Sequence, residues 1–120
     1  MMKPSLPAIA SLTGALFILF AGSTQAANAD KGKDLVEKNN CAACHGAGLK
    51  APVAPAYPKI AGQYEDYVYN ALRSYQVKNN ASFGRNNAIM ASQVEKFKDQ
   101  ELRDMAAYIA SLSGDLVVKR

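Results

Sequence analysis

All cysteines and the only histidine of this 120-residue chain lie within five consecutive residues, Cys41-Ala42-Ala43-Cys44-His45. Sites that require a pair of histidines are therefore excluded. A structural zinc site needs four ligands, and two cysteines with one histidine leave that set one ligand short. Two cysteines are also too few for a disulfide-dense secreted scaffold. The clustering instead indicates one shared site for the three side chains.

The spacing Cys-x-x-Cys-His is the pattern of covalent c-type haem attachment. Cysteines three positions apart on roughly one helical turn present both sulfurs to the same side, where each can add to one vinyl group of a porphyrin. The next residue then carries its imidazole to the iron. We predict one haem c, attached through Cys41 and Cys44, with His45 as an axial iron ligand. The alternative, a thioredoxin-type redox pair, needs a βαβ context, and the chain shows no strand pattern.

The first residues resemble a secretory signal peptide rather than part of the fold. Lys3 supplies a positive charge, residues 6–21 are apolar with few interruptions, and small residues follow. We predict cleavage after Ala26, or as late as Ala29, with an uncleaved membrane anchor as the alternative. Cleavage after residue 26 leaves a domain of 94 residues, 27–120, and the loss of Lys3 lowers the formal charge from +4 to +3.

The elements predicted for the mature chain are all helical. A first helix is predicted over Asp30–Asn40 with Asp30 as its N-cap, and a second from Gln63 to about Val77, where apolar residues recur at helical spacing. A last helix is predicted from Lys98 or Asp99 to near Gly114, with Gly114 as the C′ residue. The Gly- and Pro-rich stretch 46–58 and the Asn-rich stretch 79–91 are predicted to be loops. The fold class is therefore small and all-α.

The second axial face of the iron has few candidate ligands, because only Met90 and Met105 remain as thioethers after signal removal. Met105 falls on the apolar stripe of the last helix and is predicted to pack in the core. Met90 falls in the predicted loop, from which a side chain can reach the iron end-on. We predict Met90 as the second ligand, the alternative being a methionine that fills a hydrophobic gap.

The chain resembles the class I cytochromes c, and within them the short bacterial cytochromes of the c553 and c4 type. The resemblance is carried by four segments in family order: 41–46, 54–63, Met90 and 102–109. It implies a small class I cytochrome c fold around one haem and export to the periplasm. Since the cytochromes c4 carry two such domains and this chain has one Cys-x-x-Cys-His, it is similar to a monohaem relative.

The resemblance also implies roles for individual residues. The Pro58 carbonyl is expected to bind the non-ligating nitrogen of His45, and Ile60 is expected to pack on the haem. Gly32 and Tyr108 are expected to mark the crossing of the first and last helices. Lys98 stands where the family has a Ser or Thr cap, so Asp99 is expected to cap the last helix instead.

With both axial positions filled by protein, the iron has no open site, and we expect a one-electron carrier rather than an enzyme. The alternatives are a dedicated cytochrome subunit of a dehydrogenase or oxidase, or a haem sensor or enzyme with an open axial position.

The mild positive charge is compatible with redox protein partners that carry acidic docking patches. It does not favour nucleic acid, because no block of basic residues occurs. No stable membrane insertion is expected after signal cleavage, and the sequence does not predict the oligomeric state. The lysines that flank the attachment segment form either a docking patch or an ordinary solvated surface: Lys31, Lys33, Lys38, Lys50 and Lys59.

Overall fold

A computed structural model describes residues 25–78 and 84–115 of the chain. Within these ranges the chain forms helices and no strand, which confirms the all-α prediction. The helices are α1 Ala29–Lys38, α2 Ala42–His45, α3 Glu65–Gln76, α4 Ala88–Val94 and α5 Asp99–Ser111. None of these helices is long and apolar enough to cross a bilayer. Most of the predicted signal segment lies outside the described residues.

The core is formed where α1, α3 and α5 meet, with contributions from α4 and from the loop after α2. Met105 is only 3% exposed, as predicted for a residue on the apolar stripe of the last helix. The buried hydrophobic residues are Val36, Leu49, Ala61, Val68, Leu72, Val94, Leu102, Met105, Ala106 and Ile109.

Helices α1 and α5 cross in close backbone contact at Gly32. A Cβ atom at this position would lie 1.9 Å from the carbonyl oxygen of Asp104, so only a glycine fits. The crossing that the family resemblance implies is present. Gly32 lies closest to the backbone of Asp104, which is one helical turn before Tyr108.

The N-cap of α1 is Asn28, and the prediction of Asp30 was wrong. The Asn28 side chain accepts a hydrogen bond from the Lys31 N–H at 3.0 Å, while Asp30 lies inside the first turn. Asn28 also donates its backbone N–H to the buried carboxylate of Asp104 at 2.8 Å. Asn28 and Asp104 are 76 residues apart, so the local sequence pattern does not reveal their contact. The local pattern favours Asp30 as the cap instead.

Helix α4 occupies residues for which a loop was predicted. Asn87 takes an extended conformation and accepts a hydrogen bond from the Met90 N–H at 2.9 Å, which is a standard N-cap arrangement. Residues 84–87 are irregular, as predicted, but 88–91 are helical, and residues 79–83 lie outside the described part of the chain. Met90 therefore lies in the first turn of a short helix and not in a loop.

Helix α5 begins at Asp99, as predicted, but its N-cap and its C-terminal end differ from the prediction. Lys98 is the N-cap residue, and its N–H donates to the Glu101 carboxylate at 2.8 Å, whereas Asp99 is already helical. At the other end Leu112 is extended, so the helix stops at Ser111 and Gly114 is not its C′ residue. Gly114 is needed for space instead, since a Cβ there would lie 1.9 Å from the Ala61 carbonyl oxygen.

Candidate functional site

His45 ends α2 and is buried, with 7% of its surface exposed. Its Nδ1 lies 2.8 Å from the carbonyl oxygen of Pro58. A carbonyl oxygen can only accept, so this contact requires the proton on Nδ1 and leaves the lone pair on Nε2. Fixing the tautomer of a metal-binding histidine through its second nitrogen is how such ligands are generally oriented.

The loop after α2 folds back on the helix and carries Pro58 to His45. The Val53 N–H donates to the Cys44 carbonyl at 3.1 Å, and the Leu49 carbonyl accepts from the N–H groups of Ile60 and Ala61 at 2.9 and 3.1 Å. The side chain of Leu49 is only 3% exposed and anchors this turn in the core. The predicted loop 46–58 is therefore ordered by its own backbone hydrogen bonds.

Gly46 is required at the start of this loop. Its φ of +78° is unfavourable for other residues, and a Cβ would lie 1.5 Å from the Ala51 carbonyl oxygen. The residue directly after the histidine therefore allows the return of the chain toward His45.

Cys41, the N-cap of α2, and Cys44, on its single turn, are both half-buried and are not joined in a disulfide. Burial raises the pKa of the Cys41 thiol above its usual value of 9.0, and the nearby positive charge of Lys96 opposes that effect. Lys96 follows α4, so the end of α4 lies close to the attachment segment. Two accessible thiols beside an imidazole with a free lone pair are the chemical set that covalent haem attachment needs.

Met90 and Met105 differ in their surroundings. Met105 is enclosed in the core, whereas Met90 is half-buried and packs only against the edge of the core. Ile60 is likewise half-buried against the core, and Ile89, next to Met90, is 53% exposed. Apolar surface left open in this way is compatible with a large hydrophobic cofactor.

Two contacts near Met90 were missed in the sequence. The Asn87 cap could have been recognised, because an Asn directly before an apolar run is a helix-start signal. The contacts of Gln76 could not have been recognised, because they join residues that are 18 and 21 positions apart. The Gln76 Nε2 donates to the carbonyl oxygens of Val94 and Phe97 at 2.8 and 2.9 Å. Both contacts hold the helix on which Met90 lies.

Comparisons with known proteins agree with this site. A family model described as cytochrome c matches residues 29–113. Cytochrome c-554(548) of Halomonas halodenitrificans is 31% identical over 86 residues, covering 72% of this chain and 98% of that protein. A protein of Thiomonas intermedia named thiosulfate dehydrogenase electron acceptor is 34% identical over 76 residues, covering 63% of this chain and 33% of its own length.

A solved structure gives the same result for the fold. The crystal structure of reduced recombinant cytochrome c4 from Pseudomonas stutzeri superposes with a TM-score of 0.65 at 33% identity, over 75% of this chain and 48% of that one. The chain thus spans about half the length of this relative and nearly all of the shorter cytochrome c-554(548). The chain belongs to the cytochrome c family, whose members are electron carriers rather than enzymes, and it carries a covalently bound haem c at its Cys-x-x-Cys-His motif.

Proposed function

We propose that this chain is an exported monohaem electron carrier whose iron is held between His45 and Met90. The observation that carries the proposal is the 2.8 Å contact between His45 Nδ1 and the Pro58 carbonyl, which leaves Nε2 available to the iron. When bound, haem c would supply a one-electron couple suited to transfer between a donor and an acceptor protein. Cys41 and Cys44 would hold the group through thioethers, each formed by addition of an S–H bond across a vinyl group.

The remaining residues tune and protect the site. The Pro58 carbonyl raises the basicity of the His45 imidazole by accepting a hydrogen bond from its Nδ1–H. Ile60 would cover the porphyrin face and limit access of water. A thioether from Met90 favours the ferrous state and raises the reduction potential relative to ligation by two histidines. Ligation by both His45 and Met90 would leave no iron position open for a substrate.

The ligand set is tested by replacing Met90 with Ala in the holoprotein. The ferric near-infrared sulfur-to-iron band is expected to disappear and the reduction potential to fall. Met105→Ala is the matched control: the band is expected to remain while the free energy of unfolding falls by about 2 to 5 kcal/mol. Absence of the band from the unmodified protein, or ready binding of carbon monoxide to its ferrous form, would contradict the proposal and favour an open-site haem protein.

We also propose that the mature chain begins at Ala27. Asn28 caps α1 and donates its N–H to the buried carboxylate of Asp104, so both contacts support its retention. Cleavage after Ala29 would remove Asn28, and with it the N-cap of α1 and one hydrogen bond of the Asp104 carboxylate. Asp104 is only 4% exposed. The intact mass of the exported protein distinguishes the two, and a chain that begins at Asp30 would overturn this choice.

Redox partners with acidic surfaces are proposed to dock near the attachment segment. Three of the flanking lysines are paired with acidic residues: Lys33 with Glu37, Lys38 with Asp34, and Lys59 with Asp115. Lys96, which acts on the Cys41 thiol, adds a positive charge close to the site. We expect electron transfer with an acidic redox protein to slow with rising ionic strength and in Lys96→Glu, but little in Lys33→Glu. Rates that are insensitive to salt would exclude such docking.

The name of the Thiomonas relative favours a second candidate, a cytochrome dedicated to one dehydrogenase. Co-purification with a larger enzyme that persists at high salt would support this candidate. Release at moderate salt would support the free carrier, because transient redox complexes are small and weak.

A further inference from the structure

Helix α4 is too short to be stable by itself. It has seven residues, Ala88–Val94, and isolated helices of this length are marginal in water. The position of Met90 in its first turn therefore depends on contacts that fasten the helix to the rest of the fold. The buried side chain of Val94, 1% exposed, supplies an apolar anchor at one end.

The two ends of α4 are held by side-chain amides. At the start, the Asn87 oxygen accepts the Met90 N–H at 2.9 Å. At the end, both protons of the Gln76 amide are used, one on the carbonyl of Val94 at 2.8 Å and one on the carbonyl of Phe97 at 2.9 Å. The Val94 carbonyl also accepts the Phe97 N–H at 3.1 Å, so the amide adds a second hydrogen bond there, and it joins the Phe97 carbonyl, just after α4, to α3.

The approach to α4 is fastened to the same helix, α3. The Arg85 N–H donates to the Ser74 carbonyl at 3.0 Å, and its guanidinium donates to the Tyr67 hydroxyl at 3.0 Å. The segment from Arg85 to Phe97 is thus bound to α3 before and after Met90. Among these residues, Gln76 binds the end of α4, because its single side chain donates two hydrogen bonds there.

We propose that Gln76 is a positioning residue for the axial methionine: it holds α4 against α3 so that the Met90 thioether stays on the iron and resists replacement by external ligands. This inference rests on the proposed ligation by His45 and Met90. Without the amide, the end of α4 would be free to separate from α3, and the state with Met90 displaced would become more populated.

The test measures the affinity of the ferrous holoprotein for carbon monoxide in Gln76→Leu, which keeps the size of the side chain and removes both donors. Loss of two neutral hydrogen bonds is expected to raise the apparent affinity roughly tenfold, with a smaller near-infrared band in the ferric form. Asn39→Leu is the matched control, because the Asn39 amide donates to the Leu35 carbonyl at 2.7 Å in the same way at the end of α1. This control is expected to leave carbon monoxide affinity unchanged.

A second variant, Gln76→Glu, keeps the shape but faces two carbonyl oxygens with a carboxylate. Its carbon monoxide affinity is expected to be higher at about pH 7 than at about pH 4, where a carboxyl of ordinary pKa is more than half protonated and restores one donor. Gln76→Glu also tests the positioning role if Gln76→Leu yields no holoprotein. An unchanged affinity in the Gln76 variants, with the sulfur-to-iron band present in the parent protein, would overturn the positioning role alone. Absence of that band from the parent protein would overturn the ligation and the positioning role together.

Discussion

Gly32 shows how a single residue sets the distance between two helices. Its missing side chain lets the backbone of α5 approach to a distance that no Cβ allows, with the Asp104 carbonyl oxygen 1.9 Å from the position a Cβ would take. The obstructing atoms are backbone atoms, so rotation of a side chain cannot relieve the overlap. The main contact of the fold therefore depends on this glycine.

Replacing Gly32 with Ala is expected to lower the free energy of unfolding by about 3 kcal/mol, because α1 and α5 must move apart. Chemical denaturation of the holoprotein measures the change. Lys33→Ala, on the exposed side of the same helix, is the control and is expected to change stability by about 0.5 kcal/mol or less. A Gly32→Ala protein as stable as the control would show that the crossing is not tight.

At the scale of elements, α3 is joined to the start of α5 by a network around Asp99. The Tyr69 hydroxyl donates to one carboxylate oxygen at 2.6 Å and the Arg103 Nε donates to the other at 2.9 Å. Arg73 approaches the first oxygen at 3.3 Å, and the Arg103 guanidinium lies over the Tyr69 ring at 4.0 Å. Asp99 is thus used to bind α3 and not to cap its own helix.

The network predicts a dependence of stability on pH. The Tyr69 hydrogen bond, followed by that of Arg103, lowers the pKa of Asp99 below its usual value of 3.8. A carboxylate with a lowered folded pKa adds stability that is present above its unfolded pKa and is lost as the pH falls through the folded pKa. The hydrogen bond that the Tyr69 hydroxyl donates to Asp99 raises the pKa of Tyr69 above its usual value of 10.0, so the contribution of the phenol is lost as the pH rises through that raised value.

Asp99→Asn is expected to reduce the acid-side loss of stability below about pH 4 and to lower stability near neutral pH. Unfolding measured across the pH range checks this, with Asp34→Asn on the exposed face of α1 as the control. If the variant loses as much stability below about pH 4 as the parent protein does, the network around Asp99 makes no contribution to the pH dependence of stability.

At the scale of the whole molecule, the chain is short for a domain stabilised by its own core. The proposed mature chain has 94 residues, and its loop 46–58 and segment 84–87 contribute one buried hydrophobic side chain, Leu49. Domains of this size often depend on a metal, a cofactor or disulfides. The half-buried surfaces of Ile60 and Met90 indicate that the haem completes the core.

The double variant Cys41→Ser and Cys44→Ser, which cannot form thioethers, is therefore expected to lose much of its helical signal at ambient temperature. Far-ultraviolet circular dichroism and thermal unfolding measure this, with the parent holoprotein as reference. A haem-free variant with an unchanged melting temperature would show that the described core is sufficient.

Part of the molecule was predictable because its causes are local. The spacing of Cys41, Cys44 and His45 places them on one turn whatever the remainder does. The apolar periodicity of α3 and α5 likewise identified both helices and the buried position of Met105. The errors fell at helix ends and at α4. At α1 and α4, short Asn-containing segments support a cap or a loop equally well until a partner is present, and the ends of α5 likewise depend on distant contacts.

The amino-acid sequence by itself determined the helical class and the haem attachment segment, since both depend on neighbours within one or two helical turns, and its composition limited the candidates for the second iron ligand. Only the tertiary structure decided which residues cap and fasten these elements. Asn28 reaches Asp104 and Gln76 reaches Val94 across 76 and 18 residues. Such contacts form only after the helices pack, because their hydrogen-bonding groups are distant along the chain and meet through the crossing at Gly32 and the packing of α4 on α3.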